Sequence, residues 1–264
     1  MTSTADDLAL ALELAGLADS ITLERFRASD LVVETKPDLT PVSEADTAVE
    51  RALRERLAAV RPGDAVVGEE YGTSAGAPEN GRRWIVDPID ATASYVRGIP
   101  AWATLLALED AGQVTVAVVS APALGRRWWA ALGAGAYALD GLGATPRRMR
   151  VSAVGRLEDA QLCFSDAETW EERGRLDELL ALSRRCWRAR GYGDFWQYML
   201  VAEGAADIGC EAVVSLWDLA APLLIVEEAG GTFTDLAGVA TADGGDALAT
   251  NGLLHGEALA LVGR

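Results

Sequence analysis

This 264-residue sequence predicts a mixed α/β fold of α+β character, layered helix–sheet–helix–sheet–helix. Three observations carry that reading. Residues 5–60 hold two apolar patterns of helical period. Residues 65–140 are a succession of short strand-like runs separated by turn residues. Residues 161–262 alternate strand-like with helical runs, which marks an α/β arrangement. The length suits one large domain or two packed subdomains. The change of style between residues 145 and 155 sets expected subdomains at 1–150 and 151–264.

The elements follow in order. Leu8, Leu12, Ala15, Leu23 and Phe26 fall on one helical face over residues 5–27, with Ser3 or Thr4 as N-cap. ETKPDLTPV, punctuated by Pro37 and Pro41, reads as a loop. Ser43 opens a second helix to about residue 60, supported by the capping pattern Ser43–Asp46. AVVG is a strand leading into Glu69-Glu70, and residues 72–82 are a polar loop. RWIVDP is a strand ending at Asp87. TLLALED and QVTVAVVSA form a hairpin across Ala-Gly, and RRWWAAL and GAYAL add two strands. In the second half QLCFS, CWRAR, DIGCE, GTFTDL and ALATN read as strands. Helices are expected over residues 171–184, 195–205 and 216–229, and from about residue 254. Trp102, Trp128 and Trp129 read as core.

Composition narrows the function. Apolar residues make up 50%, and the net charge is −17. So acidic a surface argues against nucleic acid and against anionic membrane as partners. An anionic substrate would need bound divalent cations to reverse the local field. Cys163, Cys186 and Cys210 are far apart with no CxxC, which argues against a zinc ribbon or disulfide framework. The N-terminal segment has no basic region of a signal peptide, and no run of eighteen apolar residues occurs. A reducing cytoplasm is the expected compartment.

The densest chemistry lies in Asp87-Pro88-Ile89-Asp90-Ala91-Thr92. An apolar strand runs into two carboxylates, and Pro88 imposes an extended Asp87 followed by a tight turn. Such a turn converges both carboxylates and the Ile89 carbonyl on one point, the oxygen donors a hard cation wants. The segment reads equally as a strand-ending turn with Asp90 capping a helix. Glu69-Glu70, Asp46 and Asp218 likewise have local explanations: solvated loop, cap, and helix-dipole partner. Their occurrence together is what points to a metal site. Competing phosphate chemistries lack their residues. No cysteine is followed by Cys-x5-Arg spacing, no Asp-x-Asp lies near the N-terminus, and the single His255 sits near the C-terminus.

GEE at 68–70, DPID-x-T at 87–92, WDLAA at 217–221 and K-x-D-x-T-P-V-x-x-A-D at 36–46 resemble the signatures of the inositol monophosphatase-like superfamily. YVRGIPAWATLLAL, VSAPALGRRWWAA, RGYGDFW, LVAEGAADI and SLWDLAA are similar to its histidinol-phosphate phosphatases. The resemblance implies the layered α–β–α–β–α sugar-phosphatase fold, a homodimer, two or three Mg²⁺ ions with Mn²⁺ able to substitute, and hydrolysis of a small soluble phosphate ester. It implies that Glu69, Asp87 and the Ile89 carbonyl hold one ion, and that Asp87, Asp90 and Asp218 hold a second. Asp46 and Thr92 would orient the attacking water, with Glu70 in support. The N–H groups of Ala91 and Thr92 would meet the phosphate, and Asp194 and Glu211 would contact the rest of the substrate, best an ammonium. Alternatives are an inositol, sugar or nucleotide monophosphatase, or a weak relative acting as a binding protein. One departure stands out: the family's DPIDGT is here DPIDAT, followed by Ala93-Ser94. Ala91 is expected at φ below zero, where alanine is harmless.

Overall fold

The first helix, α1 (Thr4–Arg25), begins where the sequence supplies a cap: the Ser3 hydroxyl accepts from the Asp6 N–H at 3.2 Å and the Asp6 carboxylate accepts from the Ser3 N–H at 3.2 Å. The computed structural model describes residues 3–37, 39–74, 81–141 and 144–263. The chain divides into two units, Met1–Leu132 with Tyr137–Arg147 and Gly133–Ala136 with Arg148–Arg264.

In the first unit, residues read as a loop hold a small hairpin, β1 (Val33–Thr35) and β2 (Pro41–Ser43). Strands of three residues are too short to show an alternating pattern, and the two prolines hide them further. Asp38 lies outside the described residues. Helix α2 (Glu44–Val60) starts at the expected Ser43 cap, with the Ser43 N–H donating to Asp46 Oδ2 at 2.8 Å. There follow β3 (Ala65–Gly68), β4 (Gly72–Thr73), β5 (Arg83–Asp90), the short helix α3 (Thr92–Val96), β6 (Ala103–Asp110), β7 (Gln113–Ala121), β8 (Arg126–Ala131), β9 (Gly135–Asp140) and β10 (Arg147–Arg148). The expected loop over 72–82 thus opens with β4, and residues 75–80 of it lie outside the described residues.

These strands form one sheet of order β10-β9-β8-β7-β6-β5-β3-β4. β3 runs parallel to β5, while the β5–β6, β6–β7 and β7–β8 pairs are antiparallel. Leu10, Leu14, Leu53 and Leu57 of the helices pack with Trp84, Val86, Leu106, Leu108, Val116 and Val118 of the sheet. Each fully buried side chain of this size contributes about 1.5–3 kcal/mol. Trp102 and Trp128 are buried as expected, and Trp129 packs partly buried beside the same core.

The second unit contains β11 (Gln161–Phe164), α4 (Glu168–Glu172), α5 (Leu176–Arg185), β12 (Arg188–Gly191), α6 (Asp194–Ala202), β13 (Ile208–Glu211), α7 (Leu216–Glu228), β14 (Thr232–Thr234), β15 (Ala247–Thr250) and α8 (His255–Val262). The single helix expected over 171–184 is two, because Gly174 takes φ 67 and ends the first. The sheet order is β12-β11-β13-β15-β14, with β11 parallel to both neighbours and β15 antiparallel to both of its own. Leu162, Leu179, Leu182, Ile208, Leu248 and Val262 form its core. His255 bridges the hydroxyls of Thr234 and Thr250, each at 3.1 Å, which is a structural role. Among the described residues no helix is long and apolar enough to cross a membrane.

Candidate active site

Strand periodicity alone would separate Asp87 from Asp90, since residues three apart face opposite sides of a sheet. β5 avoids this with a bulge. Asp87 pairs with Leu105 and Asp90 with Ala103, so three steps on β5 match two on β6. Pro88 suits the position because it has no N–H to leave unpaired, and its carbonyl accepts from the Thr104 hydroxyl at 2.8 Å. The two carboxylates are 1% and 6% exposed, and each offers an oxygen within 4.8 Å of the other's. The sequence reading is corrected here: the strand does not stop at Asp87 in a tight turn but continues through Asp90, and the bulge performs the convergence.

The expectation for Ala91 is overturned. Its φ is 64 and ψ 48, in the left-handed region. The chain must reverse from β5 into α3 through this one residue, and the left-handed conformation does it. The Ala91 carbonyl then accepts from the Ser94 and Tyr95 N–H groups at 2.9 and 3.1 Å. Tyr95 anchors α3: its hydroxyl donates to the Thr22 carbonyl at 2.8 Å, and its ring lies 4.9 Å from Trp102 and 5.4 Å from Phe26. These contacts hold alanine in a shape that costs about 1–2 kcal/mol.

Thr92 and Asp46 meet as the resemblance implies. The Thr92 hydroxyl lies 3.1 Å from Asp46 Oδ1 and 2.9 Å from the Ile89 carbonyl, and donates its one proton to either. Asp46 is fully buried, and its other oxygen accepts from the Ser43 N–H and hydroxyl at 2.8 and 2.5 Å. Burial raises its pKa in spite of these bonds.

Glu69 continues β3 beside Asp87, because the parallel register pairs Gly68 with Val86 and the Glu69 N–H donates to the Val86 carbonyl at 3.3 Å. Lys36 separates the two adjacent acids, its Nζ lying 2.7 Å from both Glu69 Oε1 and Glu70 Oε1. Burial lowers the lysine's pKa, but the bonds to Glu69 and Glu70 outweigh it and the net shift is upward. Burial, with the Glu69 charge adding to it, lifts Glu70 to about 6 against the opposing pull of Lys36. The sequence reading gave Lys36 no role of its own. It also missed Glu50, whose carboxylate accepts from the Glu70 N–H at 2.7 Å. A Lys inside a motif and a Glu on a helix carry no signal of such partnerships.

In the second unit, Asp218 is the third residue of α7, and its Oδ2 accepts from the Ser215 N–H at 2.9 Å. Glu211 ends β13, is 5% exposed, and accepts from the Tyr198 hydroxyl. Its pKa is pushed up to about 8, first by burial and then, against the Tyr198 bond, by the charges of Asp194 and Asp218. Asp194 opens α6 at φ 48, and burial together with Asp166 lifts it to about 6. The charges of Asp194 and Asp218 thus both act on Glu211.

Every donor in these sets is oxygen. Two buried carboxylates this close, as Asp87 and Asp90 are, suit a hard divalent cation. The arrangement can hold metal, bind a phosphate and orient a water.

A sequence model of the inositol monophosphatase family matches residues 5–262. The chain is 54% identical over 258 residues to a histidinol-phosphatase of Streptomyces coelicolor, covering 96% of each. It is 55% identical over 255 residues to a histidinol-phosphatase of Mycobacterium tuberculosis, again covering 96% of each. Among solved structures, the extragenic suppressor protein suhB of Bartonella henselae superposes with a TM-score of 0.87 at 27% identity, over 98% of both chains.

Proposed function

We propose, for a chain that belongs to the inositol monophosphatase family and is therefore a phosphomonoesterase of small phosphate esters, that the substrate is L-histidinol phosphate and the cofactor Mg²⁺. The names of its two full-length relatives support the substrate. The acids of the second unit support it too: a histidinol ester carries an ammonium, and Glu211 is buried with the charges of Asp194 and Asp218 acting on it, so that a bound cation would relieve their repulsion and return Glu211 to its charged form.

On this reading Glu69, Asp87 and the Ile89 carbonyl would hold one ion and Asp87, Asp90 and Asp218 a second, two or three ions in all with Mn²⁺ able to substitute, and Glu70 would support the site. When bound, the ions acidify a water and neutralise charge on the transferring phosphoryl group. Asp46 takes the Thr92 hydroxyl proton as a hydrogen bond, which leaves the Thr92 oxygen to accept from the attacking water and aim it. The N–H groups of Ala91 and Thr92 receive the phosphate oxygens. Water attacks phosphorus as the ester P–O bond breaks, and the alkoxide leaves and is protonated; no covalent enzyme intermediate forms. The enzyme acts as a cytoplasmic homodimer.

The test compares histidinol phosphate with inositol 1-phosphate. The amine ester is expected to turn over faster, and Glu211→Gln to raise KM for it more than for the uncharged ester. Equal effects on both substrates would remove Glu211 as the ammonium's partner. Faster turnover of inositol 1-phosphate by the wild type would remove histidinol phosphate as the substrate.

A further inference from the structure

Glu50 lies on α2 at 0% exposure, where Val49, Leu53 and Leu57 pack into the core around it. A carboxylate there is costly unless its oxygens are well occupied. They are. Oε2 accepts from the Glu70 N–H at 2.7 Å, and Oε1 from the Tyr71 N–H at 3.2 Å and Arg54 Nε at 2.8 Å. Arg54, one turn later on the helix, also donates to the Gly72 carbonyl. The pair therefore grips both ends of the turn that follows β3. Room for it comes from Gly68, where a Cβ would stand 2.1 Å from Glu50 Oε1 and 2.3 Å from Cδ.

We propose that Glu50 is a positioning residue for the metal ligand Glu69: its buried carboxylate, admitted by the missing side chain of Gly68, fixes the 69–71 turn and with it the direction in which the Glu69 carboxylate points. The inference rests on Glu69 being a ligand. Charge-assisted bonds to two consecutive backbone N–H groups are strong and directional, and supports behind ligands set metal affinity. An amide cannot replace the carboxylate, because it has one acceptor oxygen and its NH₂ would face either the Glu70 N–H or the Arg54 and Tyr71 donors.

The experiment is calorimetric titration of the full chain with Mn²⁺, with Mg²⁺-dependent phosphate release alongside, for wild type, Glu50→Gln, Gly68→Ala and Glu69→Gln. Glu50→Gln and Gly68→Ala should weaken Mn²⁺ binding by about ten- to a hundredfold. Their lost turnover should return as Mg²⁺ is raised, which a general loss of structure would not allow. Should Glu50→Gln fail to fold, Gly68→Ala decides, since it displaces the carboxylate and leaves α2 intact. Wild-type Mn²⁺ affinity in the folded variants, with Glu69→Gln weakened, overturns the role of Glu50 alone. Unchanged affinity in Glu69→Gln overturns the ligand assignment and this inference with it.

Discussion

Ala91 shows how one residue can carry strain at a working turn. Its φ of 64 suits glycine, yet alanine carries the same backbone N–H that glycine would offer a phosphate. Ala91→Gly should therefore raise stability by about 1 kcal/mol, or about 2–4 °C in Tm. Because Tyr95 and its aromatic neighbours already hold α3 in place, kcat/KM should change by less than about tenfold. Calorimetry and steady-state kinetics check both; an unchanged Tm would mean the turn relaxes. Asp218 has two readings that one substitution separates. Asp218→Asn keeps an oxygen for the Ser215 N–H and removes the charge. A dipole role alone predicts a loss of about 0.3–1 kcal/mol and normal turnover. A ligand role predicts a fall in kcat of more than about a hundredfold, beyond the usual cost of an outer support, with the fold intact by circular dichroism.

At the scale of elements, helix α2 does two jobs with one cap. Ser43 starts the helix and also fixes the Asp46 oxygen opposite the one that meets Thr92. Ser43→Ala should cost about 0.5–2 kcal/mol of stability and also lower kcat/KM with little change in KM. Activity at the wild-type level in the destabilised variant would separate the cap from the site. The cap itself was legible, because Ser-x-x-Asp before an apolar period has a local cause. The bulge in β5 was not, since it depends on how β6 pairs with it, and pairing is not a property of either strand alone. Neither was the break at Gly174: a single glycine is tolerated inside a helical run, and only the backbone shows the reversal. Lys36 and Glu50 escaped for the same reason, because their partners Glu69 and Glu70 lie 20 to 34 residues away and only the folded chain brings them together.

Across the whole molecule, the order of the motifs was readable where the geometry was not. Carboxylates at strand ends and helix starts named the chemistry before any coordinate did, because hard-cation sites need oxygen donors and have few alternatives. The sign of φ at Ala91 was misjudged, since the chain's path there is fixed by α3 and its aromatic anchors. The net charge of −17 gives the account its central demand: a phosphate ester approaching so acidic a chain needs local positive charge, which bound divalent cations supply. The most direct test is phosphate release from histidinol phosphate by protein stripped with EDTA, then titrated with Mg²⁺. The account predicts no turnover in the stripped protein and full recovery on adding Mg²⁺; full turnover after exhaustive chelation would contradict it.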